Sequence, residues 1–84
     1  MRELLFEKVG DVNCTYPYIL VYLQDKSEPL HKPFMEIAIT DARELKFTIF
    51  GQPYAQEFDV VLTVDQWRKI LAKAEEHLPK ALEF

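Results

Sequence analysis

The chain has one cysteine, two glycines and two histidines in 84 residues, and each scarcity removes a class of function. Cys14 has no partner for an internal disulfide, so nothing staples the core and a reducing, intracellular setting is expected. Gly10 and Gly51 stand far apart, which excludes a glycine-rich phosphate loop. Neither His31 nor His77 has a second His or Cys at a ligand spacing, so no metal site is expected. No apolar run approaches membrane-spanning length, and acidic residues interrupt Met1-Arg2-Glu3-Leu4-Leu5-Phe6-Glu7 where a secretory signal needs an unbroken apolar stretch. The expectation is a soluble cytoplasmic protein with no membrane partner. In that compartment the Asn13-Cys14-Thr15 pattern does not meet the glycosylation machinery.

Catalytic groupings are equally sparse. Nothing near Cys14 marks an oxyanion hole or positions a base. Glu75 and Glu76 are neighbours on a helical pattern and point in different directions, as on a solvated face. No catalytic residue and no cofactor is therefore expected, and the chain reads as a non-enzyme.

Positive charge is also in deficit. Ten Lys and Arg against 14 Asp and Glu give a formal charge of −4, which opposes tight binding of a phosphate backbone. The cations are scattered. Arg68, Lys69 and Lys73 on the helical segment, and Arg43 with Lys46 near a turn, read as solvated faces.

What the chain does contain is an ordinary globular composition, 49% hydrophobic and 13% aromatic, sufficient for one domain over residues 1–84. Five strand-like segments precede one helix. The first covers about residues 4–9 and is followed by a turn at Gly10-Asp11-Val12-Asn13. Residues 18–24 (YILVYLQ) are apolar on both alternating sets, as in a central strand. In residues 34–40, Met35, Ile37 and Ile39 share a face; in residues 44–50, Leu45, Phe47 and Ile49 do. The short Asp41-Ala42-Arg43 link makes these two an antiparallel hairpin. Phe58, Val60 and Leu62 form the buried set of a fifth strand.

At Leu62-Thr63-Val64-Asp65-Gln66-Trp67 the alternation gives way to helical spacing. Thr63 and Gln66 fit a capping box, and Leu62 with Trp67 a hydrophobic staple. Ile70, Leu71, Ala74 and Leu78 continue one apolar stripe. Pro79 is expected to end the helix at or before His77 or Leu78.

The fold class is thus α+β: two layers, a mostly antiparallel five-stranded sheet (β-β-β-β-β-α) and one C-terminal helix. Five strands at roughly 4.8 Å spacing make a face about 20 Å wide, while a helix covers only about 10 Å. Apolar surface left uncovered favours a homodimer. Tyr18 and Tyr22 share a strand face, and Tyr54 lies near a loop, so these aromatics with Arg43 and Lys46 form the expected partner-binding surface.

The segment Val60 to Leu71 resembles the strand-to-helix junction of positive-cofactor-4 type transcriptional coactivators, which reads roughly L-T-x-x-Q-W-x-x-L. Here it is Leu62, Thr63, Gln66, Trp67 and, one position early, Ile70. The resemblance covers about a quarter of the chain and implies a small intracellular dimer that binds single-stranded DNA on a curved sheet. Glu57-Phe58-Asp59 stands where that family places lysines and glycines. The leading functional expectation is a protein-binding module with a basic partner or itself, of an immunity or antitoxin type, and the alternative is single-stranded nucleic-acid binding.

Overall fold

The computed structural model describes residues 3–10, 12–24, 33–50 and 61–83. Strands β1 (Glu3–Val9), β2 (Tyr18–Gln24), β3 (Met35–Ile39) and β4 (Leu45–Ile49) precede the helix α1 (Val64–Leu82). The strands form one antiparallel sheet in chain order, β1-β2-β3-β4. The α+β class and the strands-then-helix order agree with the sequence. Among the described residues, however, the sheet has four strands, not the five expected. Most of the expected fifth strand lies outside the described residues, and its described end, residues 61–62, belongs to no strand.

Register follows from which side chains must be buried together. Ile19 stands opposite Ile37 and Val21 opposite Met35, which continues the row to Ile49; Ile37 likewise continues to Phe47. One sheet face therefore carries Leu4, Phe6, Ile19, Val21, Leu23, Met35, Ile37, Leu45, Phe47 and Ile49. The opposite, outer face carries Leu5, Glu7, Tyr18, Leu20, Tyr22, Glu36, Ala38, Lys46 and Thr48.

The β3–β4 hairpin closes through Thr40 N–H donating to the Glu44 carbonyl at 2.8 Å and Arg43 N–H donating to the Thr40 carbonyl at 2.9 Å. Arg43 takes a left-handed φ of 65°, the geometry of a three-residue loop whose last residue forms a bulge. Glycine usually stands there because a Cβ crowds the following carbonyl.

Helix α1 lies on the first face. Its Ile70 and Ala74 join Ile19, Val21, Leu23, Phe34, Met35 and Ile37 in one buried cluster. Burying side chains such as Ile37 and Ile70 contributes about 1.5–3 kcal/mol each. The helix entrance is built as the sequence implies. The Thr63 hydroxyl accepts from Gln66 N–H at 3.1 Å, and the Gln66 side-chain carbonyl accepts from Thr63 N–H at 2.9 Å.

The C-terminal end differs from expectation. Pro79 does not stop α1, which runs on to Leu82. The missing proline N–H leaves the Glu75 carbonyl without its helical donor, but Pro79 and Glu75 both lie on the exposed side, where solvent replaces that bond. Ala81, one turn from His77, is fully covered, and its burial favours the additional turn.

Candidate interaction surfaces

At about 100° per residue, the buried residues Ile70, Ala74, His77 and Ala81 lie along one line of α1. The flanks on either side differ in chemistry. One carries Gln66, Lys73, Glu76 and Lys80; the other carries Val64, Trp67 and Leu71. Lys73 Nζ sits 5.9 Å from the centre of the Phe6 ring, so the polar flank faces β1. The apolar flank consequently faces the β4 side.

There the cover runs out. On β4 Leu45 packs against the core, but two other residues turned toward the helix layer remain open: Phe47 is 37% exposed and Ile49 66%. Across from them Val64 is 66% exposed, Trp67 40% and Leu71 37%. A helix covers about 10 Å, whereas even four strands span more once their side chains are included, so a helix over β2 and β3 leaves one margin bare. Trp67, expected to staple the helix entrance, is itself among the exposed large apolar residues. Leu62, the other half of the expected staple, packs against the core while half of the indole's surroundings stay open.

The outer face is not covered by the helix either, but it is less open than the sequence implies. Tyr22 is only 8% exposed, and its hydroxyl donates to Glu7 Oε1 at 2.9 Å. Burial first, then the hydrogen bond and the negative charge of Glu7, raise the Tyr22 pKa above its ordinary value near 10. Tyr22 is thus a cross-strand fastener and is removed from the expected stacking surface. Tyr18 remains half-buried on that face, and Lys46 is exposed. Ala38 pairs with Lys46 and shares a shallow cleft with Tyr18, Cys14 and Asp41, which brings Tyr18 and Lys46 to one end of the sheet. Arg43 is exposed at the tip of the adjoining turn. Tyr54 and His31 lie outside the described residues.

A second cleft, of about 240 Å³, lies between β1 and the polar flank of α1. Phe6 and Ile19 form its apolar part, with Lys8, Lys73 and Lys80 around it. Glu76 is also present, and Lys80 Nζ contacts its Oε1 at 3.2 Å. No local pattern marks this convergence, because Lys8 is more than sixty residues from Lys73.

His77, another lining residue, is 5% exposed, with Nε2 2.9 Å from the Pro17 carbonyl oxygen. Among the described residues no group of three His, Cys, Asp or Glu is placed to hold a metal ion, and no helix is long and apolar enough to cross a membrane. No protein-family model, curated protein or solved structure matches the chain.

Proposed function

We propose that this protein is a small non-enzymatic binding module that works as a homodimer inside the cell, in the manner of an immunity protein or antitoxin. The observation that carries the reading is the apolar margin formed by Phe47 and Ile49 of β4 with Val64, Trp67 and Leu71 of α1. Large apolar side chains left open on two neighbouring elements, a half-open indole among them, have the make-up of an interface centre. A second copy related by a two-fold axis satisfies it with its own equivalent residues, bringing indole toward indole. The outer sheet face stays free in such a dimer. Its exposed or half-buried Glu7, Glu36, Leu5 and Leu20 suit a partner protein of basic character, in keeping with the net charge of −4.

Light scattering on eluting protein across about 1–200 µM tests the dimer. The expected result is a dimer mass that falls to a monomer for Trp67→Glu and for Ile49→Glu, with the helical signal retained. A wild-type chain that stays monomeric throughout that range overturns self-association.

Single-stranded nucleic-acid binding is the second reading, supported by the grouping of Tyr18, Lys46 and Arg43 at one end of the outer face and by the L-T-x-x-Q-W resemblance. Glu7 and Glu36 on the same face weigh against it. Fluorescence anisotropy with labelled oligonucleotides at low salt separates the two. Binding abolished by Lys46→Glu favours the second reading, and no binding at micromolar protein removes it.

A further inference from the structure

We propose that the cleft between β1 and the polar flank of α1 binds a small phosphate monoester, its head group held by Lys8, Lys73 and Lys80 and its organic part resting on Phe6 and Ile19. Three ammonium groups against the single carboxylate of Glu76 give the cleft a charge of +2, in a chain whose total is −4. The local sign is therefore opposite to the global one. A cluster of cations on an acidic domain is destabilised by mutual repulsion unless an anion relieves it.

The internal counter-charge is already engaged. Glu76 contacts Lys80, and nearby Lys80 and Lys73 hold its carboxyl below the usual range. Lys8 and Lys73 make no ion pair within contact distance among the described residues; Lys73 lies over the Phe6 ring and acts on Glu76 only through its charge. Two ammonium groups thus remain available, with a third released when Lys80 leaves Glu76.

The charge and size of the cleft choose the ligand. A phosphate monoester carries about −1.5 to −2 near neutral pH, which complements +2, whereas a simple carboxylate carries half as much. A lysine ammonium is a compact point charge on a mobile stem and suits the oxygens of a phosphate without requiring a fixed planar geometry. At about 240 Å³ the cleft is smaller than the roughly 300–1,000 Å³ typical of sites for drug-sized molecules, so the organic part is small. The half-buried Phe6 in the lining favours a ring.

The test uses the whole chain, isotope-labelled, titrated at low salt with phenyl phosphate, inorganic phosphate and benzoate while amide shifts are followed. Phenyl phosphate is expected to bind most tightly, with shifts concentrated at Phe6, Lys8, Lys73, His77 and Lys80. Lys8→Gln and Lys73→Gln should each weaken it about five-fold, the scale of one ion pair near 4 Å in a watery setting. Glu76→Gln removes the competing carboxylate and should tighten binding by a similar factor. Glu75→Gln makes the same change in net charge on the far side of the helix and should leave it unchanged.

Shifts spread over the surface, or equal effects of Glu75→Gln and Glu76→Gln, overturn the site in favour of a general charge effect. Benzoate binding as tightly as phenyl phosphate overturns the phosphate assignment. Equal affinity for inorganic phosphate and phenyl phosphate overturns the role of Phe6. None of these outcomes bears on the dimer, whose apolar margin lies on the opposite flank of α1.

Discussion

The imidazole of His77 and the backbone carbonyl of Pro17, sixty positions apart in the chain, meet at 2.9 Å inside the protein. This contact ties the last turns of α1 to the connection between β1 and β2, and it gives the buried imidazole a partner. Buried polar groups are tolerated when bonded and costly when stranded. His77→Ala both opens a cavity and strands the Pro17 carbonyl, so it should cost about 2–4 kcal/mol in urea unfolding. His77→Gln, which retains a donor, should recover part of that. Equal losses in the two variants mean that packing alone matters at this position.

The capping box at the start of α1 sets a smaller quantity. Thr63→Ala removes the acceptor for Gln66 N–H and should cost about 1 kcal/mol, while Thr63→Asp keeps it and should cost little. In a domain of this size that difference is a fall of about 4–8 °C in Tm. An unchanged melting temperature for Thr63→Ala would remove the cap from the account of helix stability.

Burial of the Tyr22 hydroxyl, with its bond to Glu7, makes stability fall at alkaline pH. Folding raises the Tyr22 pKa, so the folded chain keeps a phenolic proton that the unfolded chain, titrating near 10, has lost. The associated stability is complete below about pH 10 and declines as pH rises toward the folded value. Tyr22→Phe should cost about 1 kcal/mol at neutral pH and flatten this alkaline decline. Denaturant midpoints measured from pH 7 to 11 on both proteins check the sign.

Arg43 is held at φ 65° by the β3–β4 turn, a backbone geometry that is nearly free only for glycine. Arg43→Gly should therefore stabilise the hairpin by up to about 1 kcal/mol, despite the extra freedom it gives the unfolded chain. A lower unfolding midpoint would show that the arginine side chain contributes more than its backbone costs.

Much of the fold was legible in the residues. Alternation in 34–40 grouped Met35, Ile37 and Ile39, that in 44–50 grouped Leu45, Phe47 and Ile49, and the observed register pairs the two sets across one face. The two apolar sets of β2 pointed to a strand covered on two sides or central in the sheet, and it lies between β1 and β3. Thr63 and Gln66 announced the helix entrance. What local pattern cannot carry is which part of a face is covered. Ile37 and Ile49 have the same chemistry and point the same way, yet one is fully buried and the other is 66% exposed, because only one lies beneath α1. Tyr22 misleads for a related reason. Its partner Glu7 is a diagonal neighbour across the β1–β2 pair, beside the directly opposed Leu5, and that relation exists only once register is fixed. Pro79 carries a strong local stop signal that the burial of Ala81 overrides. The lysine cleft joins the two ends of the described chain, beyond the reach of any spacing rule.

The order of elements has a consequence for how the protein is made. All four strands are synthesised before the helix that shelters them, so a growing chain presents Ile19, Val21, Met35 and Ile37 to water until residues 70–81 emerge. Half-finished sheets of this kind are sticky. The protein's yield in a cell should therefore depend on how quickly its final third is translated and on whether a chaperone shields the sheet until the helix arrives.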